Sequence, residues 1–146
     1  MIYVSTTSEK DLGSLDDERL SFERIPDEIT EDERWMESLL SHPHRWFLIC
    51  RYGGCSCHFR HLDWGLDIEF TPPADWNPED EDDIESTQAA YNVFLDLLST
   101  GHEVDLIDAR VGTVPEAIKT LEVDLSKVPR ESFRFYNEYR FEFLKR

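Results

Sequence analysis

Between Asn77 and Gly101 the chain carries a pattern that only a long, one-sided helix satisfies. Ile84, Thr87, Gln88, Tyr91, Phe94, Leu95 and Leu98 recur every three or four residues, so one stripe can be buried while the rest stays wet. Asn77 can cap the first turn and Pro78 suits the first helical position. The acids Glu79 to Asp83 match the positive end of the helix dipole, and Gly101 can end the helix. The spacing predicts a helix over about 78–100. Such a helix needs an apolar surface to cover, and the remaining segments must supply it.

They supply strands. Residues 2–6 read as a first short strand, and residues 45–52 as a buried one bounded by Gly53 and Gly54. Val104, Leu106 and Ile107 suggest another, as do Ile118, Leu121, Val123 and Leu125. From Phe133 to Phe143 aromatic and polar residues alternate, broken only at Asn137, which predicts one or two strands with a buried side. Residues 7–30 are polar and acidic, and are expected to form a long loop holding at most one helical turn. Thr30 and Glu33 can form a reciprocal capping box ahead of Trp35, Met36, Leu39 and Leu40, a second helix that Pro43 ends. The stretches 55–61 and 66–70 fit either further strands or a loop. The expected fold is α+β: one domain over residues 1–146, with an antiparallel or mixed sheet of about five to six strands and two main helices packed against it.

The net charge of −17 is unevenly spread. Residues 1–40 hold twelve acids and four bases, residues 41–62 three arginines and no acid, and residues 63–105 thirteen acids with no lysine or arginine. A surface built from that last stretch cannot neutralise phosphates, so nucleic acid is excluded as the expected partner. No apolar run reaches the length of a membrane span, and no secretory leader is visible at Met1 to Glu9. With 40% apolar and 12% aromatic residues, the chain has core material that a disordered acidic chain lacks. A cytoplasmic protein with its three cysteines reduced is the expectation.

One cluster stands apart from structural filler. Cys55, Cys57, His58 and His61 lie together just after the buried strand, with Gly53 and Gly54 before them. Thiolate and imidazole are zinc ligands, but structural zinc sites separate their cysteines by two to four residues, and no second cysteine pair exists. A thiolate activated by His58 or Arg60 is the second reading. The third makes the cysteines small apolar residues beside a tight glycine turn, and it outweighs the other two. Asp105 and Asp108 are not a carboxylate pair, since three residues apart on a strand they face opposite sides.

The run Gly54, Cys55, Cys57, Phe59 resembles a small family of uncharacterised bacterial proteins bearing Gly-Cys-Gly-Cys-Gly-Phe. The order of elements from about residue 45 to 144 fits that family. Ser56 and His58 depart from its glycines, and Ala109-Arg110-Val111-Gly112 departs from its aromatic-Asp-Gly turn. The resemblance implies an α+β fold and carries no activity.

No catalytic constellation is complete in the sequence, so a binding role is expected ahead of a catalytic one. The concrete form is an acidic surface offered to a basic protein, as in an immunity-type inhibitor that covers the cationic cleft of a toxin. The residues expected to form it are Trp64, Asp67, Asp75, Trp76, Glu79, Asp80, Glu81, Asp82, Asp83 and Glu85. The alternatives are a zinc- or thiol-dependent protein centred on Cys55, Cys57, His58 and His61, and a structural domain without an active site.

Overall fold

The computed structural model describes residues 1–50, 55–62, 69–74 and 78–144. Its chain runs β1 (Ile2–Thr6), β2 (Leu20–Arg24), α1 (Glu31–Glu37), β3 (His44–Cys50), β4 (His61–Leu62), α2 (Glu81–Ser99), β5 (Val104–Asp108), β6 (Lys119–Val123), β7 (Phe135–Tyr136) and β8 (Tyr139–Phe143). Six strands form one mixed sheet in the order β2-β3-β1-β5-β8-β6. Every neighbouring pair is antiparallel except β6 with β8. The α+β fold read from the sequence is the fold observed.

Strand alternation assigns each face of the sheet its own helix. Ile2, Val4, Leu48 and Leu106 point to one side, where Ala90, Tyr91, Phe94, Leu97 and Leu98 of α2 close an apolar core. Phe133, Phe135, Phe141 and Phe143 complete that core with edge-to-face and tilted ring contacts. Tyr3, Phe47, Ile49, Ile107 and Ala109 point the other way and receive Met36 and Leu40 from α1 and the residues after it. The smaller second core fits the shorter helix.

Local chemistry sets the helix ends. At α1, Thr30 accepts from the Glu33 amide at 3.2 Å while the Glu33 carboxylate accepts from the Thr30 amide, the reciprocal box expected there. At α2, the cap is Asp80, which accepts from the Asp82 amide at 2.8 Å, and Pro78 and Glu79 precede the helix. The sequence places the start at Asn77 and Pro78; Asn77 lies outside the described residues. The displacement has a cause in Glu79, whose carboxylate is held by Arg60 and so belongs to the approach to the helix.

Two further differences concern strands. Residues 20–24, expected within a loop, form the edge strand β2, with Leu20 and Phe22 buried and Glu23 and Arg24 exposed. The aromatic run from Phe133 divides: β7 leaves the main sheet to pair in parallel with β4, and only β8 joins the six strands. The turn between them places Glu138 at φ 66°, in the left-handed region. Its amide donates to Asp108 at 2.7 Å, and its carbonyl accepts from Lys119 at 3.0 Å, so the turn is fastened to two strands.

Candidate functional site: an acidic cleft beside a fastened loop

The loop from Cys55 to His61 is built inward. Ser56 is buried; its hydroxyl accepts from the Ile2 amide at 2.7 Å and donates to the Leu48 carbonyl at 2.5 Å. Phe59 packs edge-to-face on Phe135. Arg60 is 2% exposed and clamps Glu79 with two bonds of 2.8 Å. Its remaining donors reach the carbonyls of Thr71, Glu131 and Phe133 at 3.0, 3.1 and 3.0 Å. Arg134 adds a second cation to Glu79 at 3.2 Å. The hydrogen bond from Arg60, together with both positive charges, holds the Glu79 carboxyl below the usual carboxylate range against the opposing effect of burial.

His61 closes the loop. Its Nδ1 lies 2.6 Å from Asp108 and its Nε2 lies 2.6 Å from the Ser56 carbonyl. Both neighbours are acceptors, so both ring nitrogens donate only when the imidazole is charged. Burial opposes that charge, but the Asp108 bond and charge and the Ser56 carbonyl outweigh it, and the His61 pKa is raised. Asp105, by contrast, faces α1's side of the sheet, where it is fully buried. There it accepts from Ser5, from the Ser41 amide at 3.0 Å and from Arg140 at 2.7 and 2.9 Å. The two aspartates lie on opposite faces, as the strand period requires.

The four residues considered as metal ligands therefore each have another partner. Cys55 and Cys57 are joined to each other by a disulfide, where the sequence reading expects reduced thiols. His58 lies 3.4 Å from Asp83, and His61 is held by Asp108 and Ser56. Among the described residues, no group of three or more His, Cys, Asp or Glu side chains converges as a metal site.

The acids expected at the binding face divide in the same way. Glu79 is an internal clamp. Asp80, Glu81 and Asp82 are exposed on the first turn of α2, and Asp83 and Glu85 are half-buried. Trp64, Asp67, Asp75 and Trp76 lie outside the described residues. The sequence reading leaves out Asp17 and Glu18, which approach from the turn before β2. Glu18, Asp80, Asp82 and Glu85 border one cleft of about 300 Å³, with His58 and Cys50 on its wall. A shallower groove along α2 continues from it, lined by Asp17 and sharing Arg19 and Glu85. Arg19 ties the two segments, with its guanidinium 3.3 Å from Glu85 and its carbonyl accepting from Ser86 at 3.3 Å. Beside the cleft, burial first and the Asp80 charge second raise the Asp83 carboxyl above its ordinary range, against the opposing His58 and His61. The excess of acids in residues 1–40 was the available signal for Asp17 and Glu18, but nothing local tied them to α2.

No family model, curated protein or solved structure matches the chain. Among the described residues no helix is long and apolar enough to cross a membrane.

Proposed function

We propose that the chain is a cytoplasmic acidic binding protein that holds a basic protein partner against the first turns of α2, in the manner of an immunity-type inhibitor. The observation that carries this reading is the meeting of Asp17 and Glu18 with Asp80, Asp82 and Glu85 around one cleft and its adjoining groove, although the two groups lie more than sixty residues apart in sequence. A helix start accounts for two or three acids by dipole matching. It does not account for acids delivered to the same place by another segment. Closely grouped like charges cost stability, and a cationic partner relieves that cost while its association is accelerated. Glu79 is not a contact residue in this reading, because the buried Arg60 and Arg134 hold its carboxylate inside the protein. Glu85, by contrast, pairs at 3.3 Å with an Arg19 side chain that is itself open to solvent and can exchange for a partner's cation.

The test is capture of partners from the native host on immobilised protein, with elution by salt. The expected partner is basic and leaves as ionic strength rises and the screening length falls from about 10 Å towards about 3 Å. An Asp80→Asn/Glu81→Gln/Asp82→Asn variant should release it at distinctly lower salt. Retention insensitive to both salt and the triple substitution would overturn the proposal.

A further inference from the structure

The Cys55–Cys57 disulfide links residues separated by a single position, within a loop already fastened by other means. Ser56 between the two cysteines is bonded to Ile2 and Leu48, and the Cys55 carbonyl accepts from the Cys50 amide at 2.8 Å. Buried Phe59 and Arg60 anchor the chain on the far side of the pair. A cross-link stabilises chiefly by restricting the unfolded chain, and does so least when the loop it closes is shortest. This one closes about the shortest loop a chain can offer, at a place where packing and hydrogen bonds already set the conformation. Its two sulfurs also belong to residues of unequal access: Cys57 is exposed and Cys55 half-buried. Exchange proceeds by attack of an outside thiolate on an accessible sulfur.

We infer that Cys55–Cys57 is a redox-active disulfide that exchanges with a dithiol, and that the acidic cleft beside it favours neutral or cationic thiols over anionic ones. The thiolate of the dithiol attacks Cys57 Sγ, the Cys55–Cys57 bond breaks, and Cys55 leaves as a thiolate that takes a proton from solvent. The second thiol of the reductant loses its proton to solvent and attacks its own sulfur in the mixed disulfide. Cys57 is released as a thiolate and protonated in turn. Two electrons pass to the protein, and the dithiol becomes a disulfide. Selectivity comes from position. His58, next to Cys57 in the chain, shares the cleft wall with Glu18, Asp80, Asp82 and Glu85. Arg19 on the same wall is paired with Glu85, so the acids prevail and an anionic thiol approaches against their field. The exchange itself does not depend on the partner proposed above.

The test begins with folded wild-type protein and dithiothreitol, with alkylation and peptide mapping to distinguish Cys50 from the pair. The expected result is reduction of Cys55 and Cys57 without denaturant, while buried Cys50 stays unmodified and the circular dichroism is unchanged. In a Cys55→Ser variant the free Cys57 thiolate should attack a labelled disulfide, release one half of it as thiol and keep the other as a mixed disulfide, about tenfold or more faster than Cys55 does in Cys57→Ser. Cysteamine, mercaptoethanol and mercaptopropionate, compared per thiolate, should reduce the wild-type disulfide in that order at low salt and at similar rates at high salt. Two free thiols at 55 and 57 after equilibration with oxidised glutathione, or reduction only in denaturant, would overturn the redox assignment. A rate order indifferent to charge would overturn the selectivity alone.

Discussion

Replacing Arg60 tests the internal architecture most directly, because its guanidinium joins the approach to α2, at Thr71 and Glu79, to the segment that leads into β7, at Glu131 and Phe133. Arg60→Ala removes the clamp on Glu79 and the donors to Thr71, Glu131 and Phe133. Breaking a buried ion pair from one side costs about 3–5 kcal/mol. Two facts place this case at the low end: the Glu79 side chain keeps 24% of its exposure, and Arg134 stays 3.2 Å away as a remaining cation. The expected loss is about 3 kcal/mol, or a fall in Tm of about 6–12 °C for a chain of this size. Arg60→Lys keeps the charge but not the planar fork and should lose about half as much. The assay is urea unfolding followed by tryptophan fluorescence, with the slope m checked for constancy. In a double-mutant cycle, Arg60→Ala and Glu79→Gln should couple by at least about 1 kcal/mol. A loss under about 1 kcal/mol for Arg60→Ala, or strict additivity of the two changes, would refute the description of Glu79 as an internal clamp and return it to the binding face.

Protonation gives two further outcomes. Because the folded-state pKa of His61 is raised, its contribution is fully present below the unfolded value of about 6.5 and disappears as pH rises through the folded value. The groups acting on it are Asp108, the Met1 ammonium and the Ser56 carbonyl, and a His61→Gln variant titrated by urea midpoint from acid to alkaline pH should lack that decline. Glu79 has the opposite sign: its lowered pKa stabilises above about 4.3 and the benefit is lost as pH falls through the folded value, so Glu79→Gln should flatten the acid limb. Asp105→Asn should cost about 3 kcal/mol in the same unfolding assay, since it uncovers Arg140 where no water reaches Asp105. Glu138→Gly should stabilise by about 1 kcal/mol, because the left-handed backbone there penalises a side chain, and a destabilised variant would show that the Glu138 side chain outweighs that penalty.

The sequence was most informative where one segment determines its own conformation. The Thr30–Glu33 box is local, and it formed with both halves in place. The α2 stripe is likewise internal to its helix, and Tyr91, Phe94 and Leu98 are buried as the period requires. The run from Phe133 revealed its alternation but not its division, because β7 pairs with a two-residue strand more than seventy positions earlier. Leu20 and Phe22 carry period two over five residues only, a signal too short to stand against the surrounding acids. The start of α2 moved to Asp80 because Arg60 claims Glu79, and the pairing of His61 with Asp108 spans 47 positions. Neither contact has a local signature. The acidic site followed the same division: its α2 half was legible in the run Glu79 to Glu85, while Asp17 and Glu18 joined it only through the fold.

The strand order has a consequence for how the chain is made. β1 leaves the ribosome before either of its sheet neighbours, yet it occupies the interior of the sheet between β3 and β5. Ile2 meets Leu48 on one side and Asp108 on the other. At about 5–20 residues per second, the second neighbour arrives roughly 5–20 s after the strand it must flank. During that interval Ile2, Tyr3 and Val4 form an apolar segment with an open hydrogen-bonding edge, and β8, which extends the sheet beyond β5, is later still. Synthesis halted between β3 and β5 would therefore leave a nascent chain with its central strand half paired, the state in which this sequence is most exposed to aggregation.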